Sequence, residues 1–169
     1  MIRSYQGKTP KIHPTAWVSE SAYVVGDVEI GEYSSVWPGS VIRGDTIKIT
    51  LGSYVDIQDN CVLHADSDAY YDDYVSLGHG VISHAKHIKS NCLLGNGATL
   101  NDGIILGEYS IVASGAVVLE NREFAEKSFV VGVPAKARDD QTTPEHHARI
   151  KRTAENYSRK AQLFKSEGL

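Results

Sequence analysis

The sequence is poor in several features that particular protein classes require. It has only two cysteines, Cys61 and Cys92, which are too few for a disulfide framework and do not form a CxxC pair. It has no excess of positive charge, since 17 Lys and Arg stand against 21 Asp and Glu, so we expect no nucleic-acid partner. No apolar run approaches the roughly 18 residues of a membrane span, and the N-terminal residues lack a signal-peptide segment. We therefore expect no membrane partner and a cytoplasmic location.

The residues that are abundant favour β-structure. The chain contains 16 Val and 13 Ile against 10 Leu, together with 15 Gly and a single Met. β-Branched residues pack well in strands, and glycine suits tight corners. A length of 169 residues, at about 150 residues per domain, predicts one domain with a short appendage.

A six-residue repeat runs through most of the chain. Period six predicts a parallel β-helix in which each hexad forms one face of a triangular prism and three hexads make one coil. The segment from Ile12 to Val131 then forms six to seven coils, stacked about 4.8 Å apart. Small or β-branched residues, Cys61 and Cys92 among them, recur four places after the repeated position. The repeated positions are Ile12, Val18, Val24, Ile30, Val36, Ile42, Leu51, Ile57, Leu63, Tyr71, Leu77, Ser83, Ile88, Leu94, Leu100, Leu106, Val112 and Val118.

The pattern changes after Pro134, which predicts a β-helix domain over 1–134 and a linker with a C-terminal helix over 135–169. Thr143 followed by Pro144 is typical of a helix start. Apolar residues then repeat at intervals of four and three, which indicates an amphipathic helix that lies along the prism. Its apolar face consists of Ile150, Ala154, Tyr157, Ala161 and Phe164.

Three of the seven histidines have a spacing that suggests chemistry. His64 and His84 each directly follow a repeated position, so we expect them on adjacent coils, where two imidazoles can share a metal ion. His79 is separated from His84 by a corner and cannot easily reach the same ion within one chain. A neighbouring chain would have to supply it, which predicts a site at the interfaces of a homotrimer. The alternative is that these histidines are ordinary polar surface residues.

Four segments together resemble the γ-class carbonic anhydrase family of hexapeptide-repeat proteins. The resemblance covers almost the whole chain and implies a left-handed β-helix. It also implies that His64, His79 and His84 are the metal ligands. The segments are Trp37–Asp45 (WPGSVIRGD), Ile57–His64 (IQDNCVLH), Gly78–Gly80 (GHG) with His84 after it, and Val131–Lys136 (VGVPAK).

The same resemblance implies roles for five further residues. Gln58 matches the residue that hydrogen-bonds the metal-bound water or bicarbonate. Arg43, Asp45 and Asp59 match a charged network across the subunit seam, and Tyr157 matches a helix tyrosine that can line the site. For Arg43 and Asp45 the alternative is a role in trimer assembly alone, because a buried interfacial arginine needs acidic partners in any case.

The function implied is a metal-dependent lyase that hydrates CO2 reversibly to bicarbonate through a metal-bound hydroxide. Three imidazoles leave one position of Zn2+ open, and they also accept Fe2+ or Co2+. Thr46 follows Asp45 where some members carry a glutamate linked to proton transfer, so fast turnover is not expected. The acidic loop Asp66–Asp73 is interpreted as solvated, with proton relay as the alternative. Two other functions stay open: a hexapeptide acyltransferase or CoA thioesterase, and a trimeric metal-binding scaffold of low activity.

Overall fold

The computed structural model describes residues 1–169, which form short strands and one helix. In chain order the elements are β1 (Ile2–Arg3), β2 (Lys11–Ile12), β3 (Trp17–Val18), β4 (Tyr23–Ile30), β5 (Ser35–Val36), β6 (Val41–Leu51), β7 (Asp56–Ile57), β8 (Val62–Leu63), β9 (Ala69–Tyr71), β10 (Ser76–Leu77), β11 (Ile82–Ser83), β12 (His87–Ile88), β13 (Leu93–Leu94), β14 (Thr99–Leu100), β15 (Ile105–Leu106), β16 (Ile111–Val112), β17 (Val117–Val118), β18 (Glu123–Phe124), β19 (Phe129–Gly132), β20 (Ala135–Ala137) and α1 (Pro144–Glu167).

The strands stack in parallel as a left-handed β-helix with three faces, which confirms the predicted fold. Face 1 contains the first part of β4 and of β6, followed by β8, β11, β14 and β17. Face 2 contains β2, the second part of β4 and of β6, then β9, β12, β15 and β18. Face 3 contains β3, β5, β7, β10, β13, β16 and β19. Because β4 and β6 continue around a corner, faces 1 and 2 form one continuous sheet.

The repeated positions point into the prism and form its core. From Val24 to Val118 all of them are buried, and the repeat continues to Phe124 and Val130. Two of the repeated positions are not aliphatic, and the large side chain at one fills the space left by the small side chain at the other. The buried Tyr71 extends across the interior, and its hydroxyl donates a hydrogen bond to Oγ of the smaller Ser83 at 2.7 Å.

One position at the corner between face 2 and face 3 leaves no room for a side chain. A Cβ atom on Gly31 would lie 2.4 Å from the carbonyl oxygen of Gly52 in the next coil. Cys61 and Cys92 occupy the small inward positions as expected, and burial raises the pKa of each thiol to about 12. Both are therefore core residues and not nucleophiles.

Helix α1 covers face 3 from the last coils to the first. Thr143 is its N-cap, and Gly168 in the left-handed conformation ends it. Near the helix start, Thr142 Oγ1 donates a hydrogen bond to the carbonyl of Tyr109 at 2.7 Å. Near its end, Trp17 Nε1 donates to the carbonyl of Leu169 at 2.9 Å. The predicted C-terminal helix is thus confirmed, and its contacts lie on strands of face 3.

Two further features complete the description. Strand β20 pairs antiparallel with β19, so strand pairing continues to Ala137, three residues past the boundary expected at 134. The helical part of the chain contains no segment with the length and hydropathy that crossing a bilayer requires.

Candidate metal centre

His64 and His84 lie one above the other at the corner between face 1 and face 2. Strands β8 and β11 pair with Leu63 opposite Ser83, and each histidine directly follows its strand. The centroids of the two imidazole rings are 5.1 Å apart. Parallel pairing in register therefore converts a separation of 20 residues in the chain into direct contact, as the spacing predicts.

A carboxylate orients each of these two rings. His64 Nε2 lies 3.1 Å from Asp45 Oδ1, and His84 Nδ1 lies 2.9 Å from Asp102 Oδ1. Asp45 also pairs with Arg43, and the hydrogen bond from the Arg43 guanidinium, assisted by His64, holds the pKa of Asp45 below its usual value. Because an ionised carboxylate can only accept, Nε2 of His64 carries the proton in this arrangement.

The opposite nitrogen of His64 has no partner. Its Nδ1 is buried and makes no hydrogen bond, so the lone pair of this nitrogen is unsatisfied within the chain. One potential ligand atom from each of His64, Asp66 and His84 lies within 4.8 Å of the other two. Sequence reasoning placed Asp66 in a solvated loop and missed this cluster. Its position two residues after His64 is the only signal that could have suggested it.

His79 lies at the other edge of face 1, at the corner with face 3. It follows β10 and Gly78, its side chain is 51% exposed, and its Nδ1 lies 2.9 Å from Asp59 Oδ2. Its backbone N–H donates a hydrogen bond to Asn96 Oδ1 at 3.1 Å. Within one chain His79 does not belong to the cluster of His64, Asp66 and His84.

Gln58 belongs to a buried polar network beside His79. Its Nε2 donates a hydrogen bond to Asp56 Oδ1 at 2.8 Å, and Ser76 Oγ donates to the other oxygen of the same carboxylate. Asp56 is only 1% exposed, and this burial raises its pKa to about 7 against the opposing effect of both hydrogen bonds. Sequence reasoning found Gln58 but not Asp56, which occupies an outward strand position that α1 covers.

Tyr157 of α1 closes this side of the site. Its ring packs edge-on against Trp37 at 5.3 Å, and burial raises the pKa of its hydroxyl. A cavity of about 450 Å³ lies between α1 and face 3, and Gln58, Gly78 and Tyr157 line one end of it. The predicted site residues thus form two groups at opposite edges of face 1, with Arg43, Asp45, His64 and His84 in one and Gln58, Asp59, His79 and Tyr157 in the other.

The first group fits a divalent metal ion. It offers two imidazoles whose other nitrogens are oriented by carboxylates, which is the usual environment of metal-binding histidines. The buried, unpartnered Nδ1 of His64 is costly unless a metal or another polar group satisfies it. The two imidazoles together with the Asp66 carboxylate form a nitrogen and oxygen donor set that suits Zn2+, Fe2+ and Co2+.

Several known proteins are similar to this chain in sequence and in fold. The bacterial transferase hexapeptide model (six repeats) matches residues 9–44 and 86–120. A carbonic anhydrase of Geobacillus kaustophilus is 33% identical over 168 residues, which cover 98% of this chain and 92% of that protein. Gamma carbonic anhydrase 2, a mitochondrial protein of Arabidopsis thaliana, is 34% identical over 95% of this chain. The chain spans 60% of the length of that plant protein.

The solved structure of a hexapeptide transferase family protein from Anaplasma phagocytophilum superposes with a TM-score of 0.92. It is 30% identical, and the match covers 97% of this chain and 98% of that one. Transferase names and carbonic anhydrase names therefore both occur among the similar proteins, and identities of 30% or more over nearly whole chains establish common descent. On these grounds the chain belongs to the γ-class carbonic anhydrase-like family of hexapeptide-repeat β-helix proteins.

Proposed function

We propose that the protein is a metal-dependent carbonic anhydrase-like enzyme that hydrates CO2 reversibly to bicarbonate. The observation that supports this most directly is the stack of His64 and His84 at one edge of face 1, with His79 at the opposite edge. Three-fold symmetry around face 1 brings the first edge of one subunit to the second edge of its neighbour. Each interface then contains three histidines, with His64 and His84 from one chain and His79 from the next.

The side chains on face 1 favour this homotrimer. Tyr23, Val62 and Ile82 point outward from it and are between 37% and 45% exposed, although they are large and apolar. Face 3 is covered by α1, and the outward positions of face 2 include Lys11 and Glu29. A contiguous apolar surface without a cover is typical of a subunit interface. Face 1 is the one face of the prism with that character.

The resident ion we propose is Zn2+, with Fe2+ or Co2+ as alternatives, held by His64, His84 and the neighbour's copy of His79. When bound, such an ion lowers the pKa of water to about 7 and so supplies the nucleophile at neutral pH. Asp45 and Asp102 fix the ring orientations of His64 and His84, and Asp59 does the same for His79.

Gln58 orients the reacting oxygen in this proposal. Because Asp56 binds the Nε2 group, the Oε1 atom of the same amide is left free to accept a hydrogen bond from water or from the hydroxyl of bicarbonate. Arg43 and Asp45 act at the seam, where they hold His64, and Tyr157 borders the reactants from α1. We also place the enzyme in the cytoplasm, since its two buried free cysteines suit a reducing compartment.

A second candidate is acyl transfer or thioester hydrolysis on a CoA-type substrate. The similarity to hexapeptide transferases supports it, as does the cavity of about 450 Å³ beside Gln58, which is much larger than CO2 requires. A third possibility is a metal-binding trimer with negligible turnover, because Thr46 replaces the glutamate that some family members carry after the aspartate.

Stopped-flow CO2 hydration separates these functions. We expect activity with Zn2+ or, under anaerobic conditions, with Fe2+, and its loss in His79→Ala. The control is His87→Ala, which removes a histidine that pairs with Asp72 on face 2. Thioesterase activity without CO2 hydration would favour the second candidate. The lack of activity in both the hydration and the thioesterase assay would favour a metal-binding trimer with negligible turnover.

Mixing of subunits tests the shared site itself. Neither His79→Ala nor His84→Ala forms a complete site alone, but a mixed trimer contains interfaces that combine an intact His64 and His84 with an intact His79. Random mixing in equal amounts should restore about one quarter of the wild-type sites. No recovery after mixing and reassembly would contradict a site shared between chains.

A further inference from the structure

One corner of the prism carries a repeated aromatic position. The residue three places after each inward residue of face 2 has a positive φ angle between 56° and 60° from the second coil to the last. These residues stack at the corner between face 2 and face 3. The backbone N–H of Tyr33 donates to Thr15 Oγ1, and that of each later residue donates to a carbonyl at the same corner of the preceding coil. In order they are Tyr33, Tyr54, Tyr74, Asn91, Tyr109 and Lys127.

The first three form a ladder of stacked rings. Tyr33 and Tyr54 have ring centroids 5.2 Å apart, and Tyr54 and Tyr74 are 4.9 Å apart with planes inclined by only 1°. Asn91 occupies the next position, and Tyr109 follows one coil later. Since each coil adds about 4.8 Å, Tyr74 and Tyr109 are separated by about twice the spacing of the ladder. The position between Tyr74 and Tyr109 therefore carries no ring.

A cavity occupies the place of the missing ring. Its volume is about 450 Å³, and Tyr74, Asn91 and Tyr109 line it together with α1. The Asn91 amide, which both donates and accepts hydrogen bonds, lies at its edge. The ammonium group of Lys151 lies over the face of the Tyr74 ring, 6.0 Å from its centroid.

A histidine of α1 closes one side of this cavity. The His147 ring packs on Tyr109 with centroids 4.6 Å apart, and its Nε2 lies 2.9 Å from Thr142 Oγ1. Burial, assisted by the charges of Lys127 and His146, lowers the pKa of His147, so the ring is neutral at physiological pH. The cavity therefore has aromatic residues on two sides, and its two charged lining groups, the Lys151 ammonium and the Asp73 carboxylate, are of opposite sign.

We propose that this gap binds a planar heteroaromatic molecule, with the chemistry of a nucleobase, between Tyr74 and Tyr109. Aromatic rings accept any flat π-surface at stacking distance, whereas the edge groups select a ring with both donors and acceptors. The ladder lies at the corner opposite face 1, so a trimer formed through face 1 leaves it accessible. The proposal does not depend on the proposed enzymatic function.

Adenosine is the probe for this site, and binding to the full-length protein is measured by calorimetry and by saturation-transfer NMR. Asn91→Tyr supplies the missing ring, at a φ that the neighbouring tyrosines already adopt, and should weaken adenosine binding by at least about tenfold. Asn91→Gly is the matched control, because glycine tolerates the same φ and leaves the gap open. Its affinity should stay within a few-fold of the wild type.

Several results would overturn the proposal. These are the absence of adenosine binding to the wild-type protein at millimolar concentration, equal binding of adenosine and ribose, or unchanged binding by Asn91→Tyr. If Asn91→Tyr does not fold, Tyr109→Leu removes one wall of the gap instead and should cause a comparable loss. Unchanged binding by that variant would also contradict the proposed position of the ligand.

Discussion

Four histidine side chains of the prism each contact a carboxylate, so such a contact does not by itself identify a metal ligand. His87, for example, pairs with Asp72 on face 2, where no second histidine is stacked on it. What distinguishes His64 is the combination of an adjacent imidazole on the next coil and a buried nitrogen without a partner. The four pairs are His64 with Asp45, His79 with Asp59, His84 with Asp102 and His87 with Asp72.

At the residue scale, Asp66 should contribute to metal affinity. A carboxylate oxygen of Asp66 lies within 4.8 Å of a ring nitrogen of both His64 and His84, so it could help to hold an ion there. We expect Asp66→Asn to reduce Co2+ affinity by about tenfold or more. Titration with Co2+, followed by its visible absorption, measures this. Asp72→Asn, which changes a carboxylate of the same loop that contacts His87, should bind Co2+ as the wild type does.

A second residue-scale prediction concerns Asp56. Burial raises its pKa to about 7, whereas an aspartate in an unfolded chain titrates near 4. Between about pH 4 and pH 7 the folded protein therefore holds a proton that the unfolded chain has released, and the free energy of unfolding falls as pH rises through this window. Above about pH 7 Asp56 is ionised in both states, so its effect on the free energy of unfolding no longer changes with pH.

Asp56→Asn removes this titration. Relative to wild type, its free energy of unfolding should rise between about pH 4 and pH 7 and exceed that of wild type by up to a few kcal/mol at about pH 8. Urea denaturation of metal-free protein at several pH values checks this, with the exposed Asp139→Asn as the control. A difference between wild type and Asp56→Asn that does not vary with pH would contradict the assigned pKa.

At the scale of elements, α1 is held against face 3 by a small aromatic cluster. Ala161 is fully buried beside Trp17 and Trp37, and Phe164 packs edge-on against both indole rings. The small side chain of Ala161 lets the helix approach the sheet closely. This contact also fixes the position of Tyr157 at the cavity near Gln58.

Ala161→Leu should therefore overfill the contact between helix and sheet. We expect a loss of about 1–3 kcal/mol in the free energy of unfolding, measured by urea denaturation. Leu163 on the same helix is 62% exposed, and Leu163→Ala should change stability by no more than about 0.5 kcal/mol. Equal effects of the two substitutions would show that α1 does not pack on face 3 as described.

At the scale of the whole molecule, the three faces have different surroundings. Face 3 is covered by α1, face 2 carries charged residues such as Glu29 and Glu123, and face 1 exposes aliphatic side chains. A charge placed on face 1 should prevent assembly, because an unpaired buried charge at an interface costs several kcal/mol.

Ile82→Lys tests this assignment. We expect this variant to sediment as a monomer instead of a trimer. We also expect it to lose the metal site that His64 and His84 form with the neighbour's copy of His79. Ile105→Lys is the matched control, because Ile105 occupies the equivalent outward strand position on face 2. Dissociation by Ile105→Lys, or a stable trimer with Ile82→Lys, would place the interface elsewhere.

The sequence by itself determined the coils, the helix and the stack of His64 on His84. In a parallel solenoid the register of pairing is set by the chain repeat, so a separation of one coil length becomes a direct contact. The irregular segment Ala65–Asp68 does not disturb that relation, because the inward residues on either side of it, Leu63 and Tyr71, keep the core in register.

Only the tertiary structure decided the contacts that do not follow the repeat. Asp66 reaches the histidines through the conformation of a loop, and Asp56 is buried only because α1 covers the outward side of β7. The gap at Asn91 likewise becomes a cavity because α1 closes it with His147 and Lys151. Such contacts join elements that are distant in the chain and carry no period, so their geometry depends on how the loop and the helix pack against the prism.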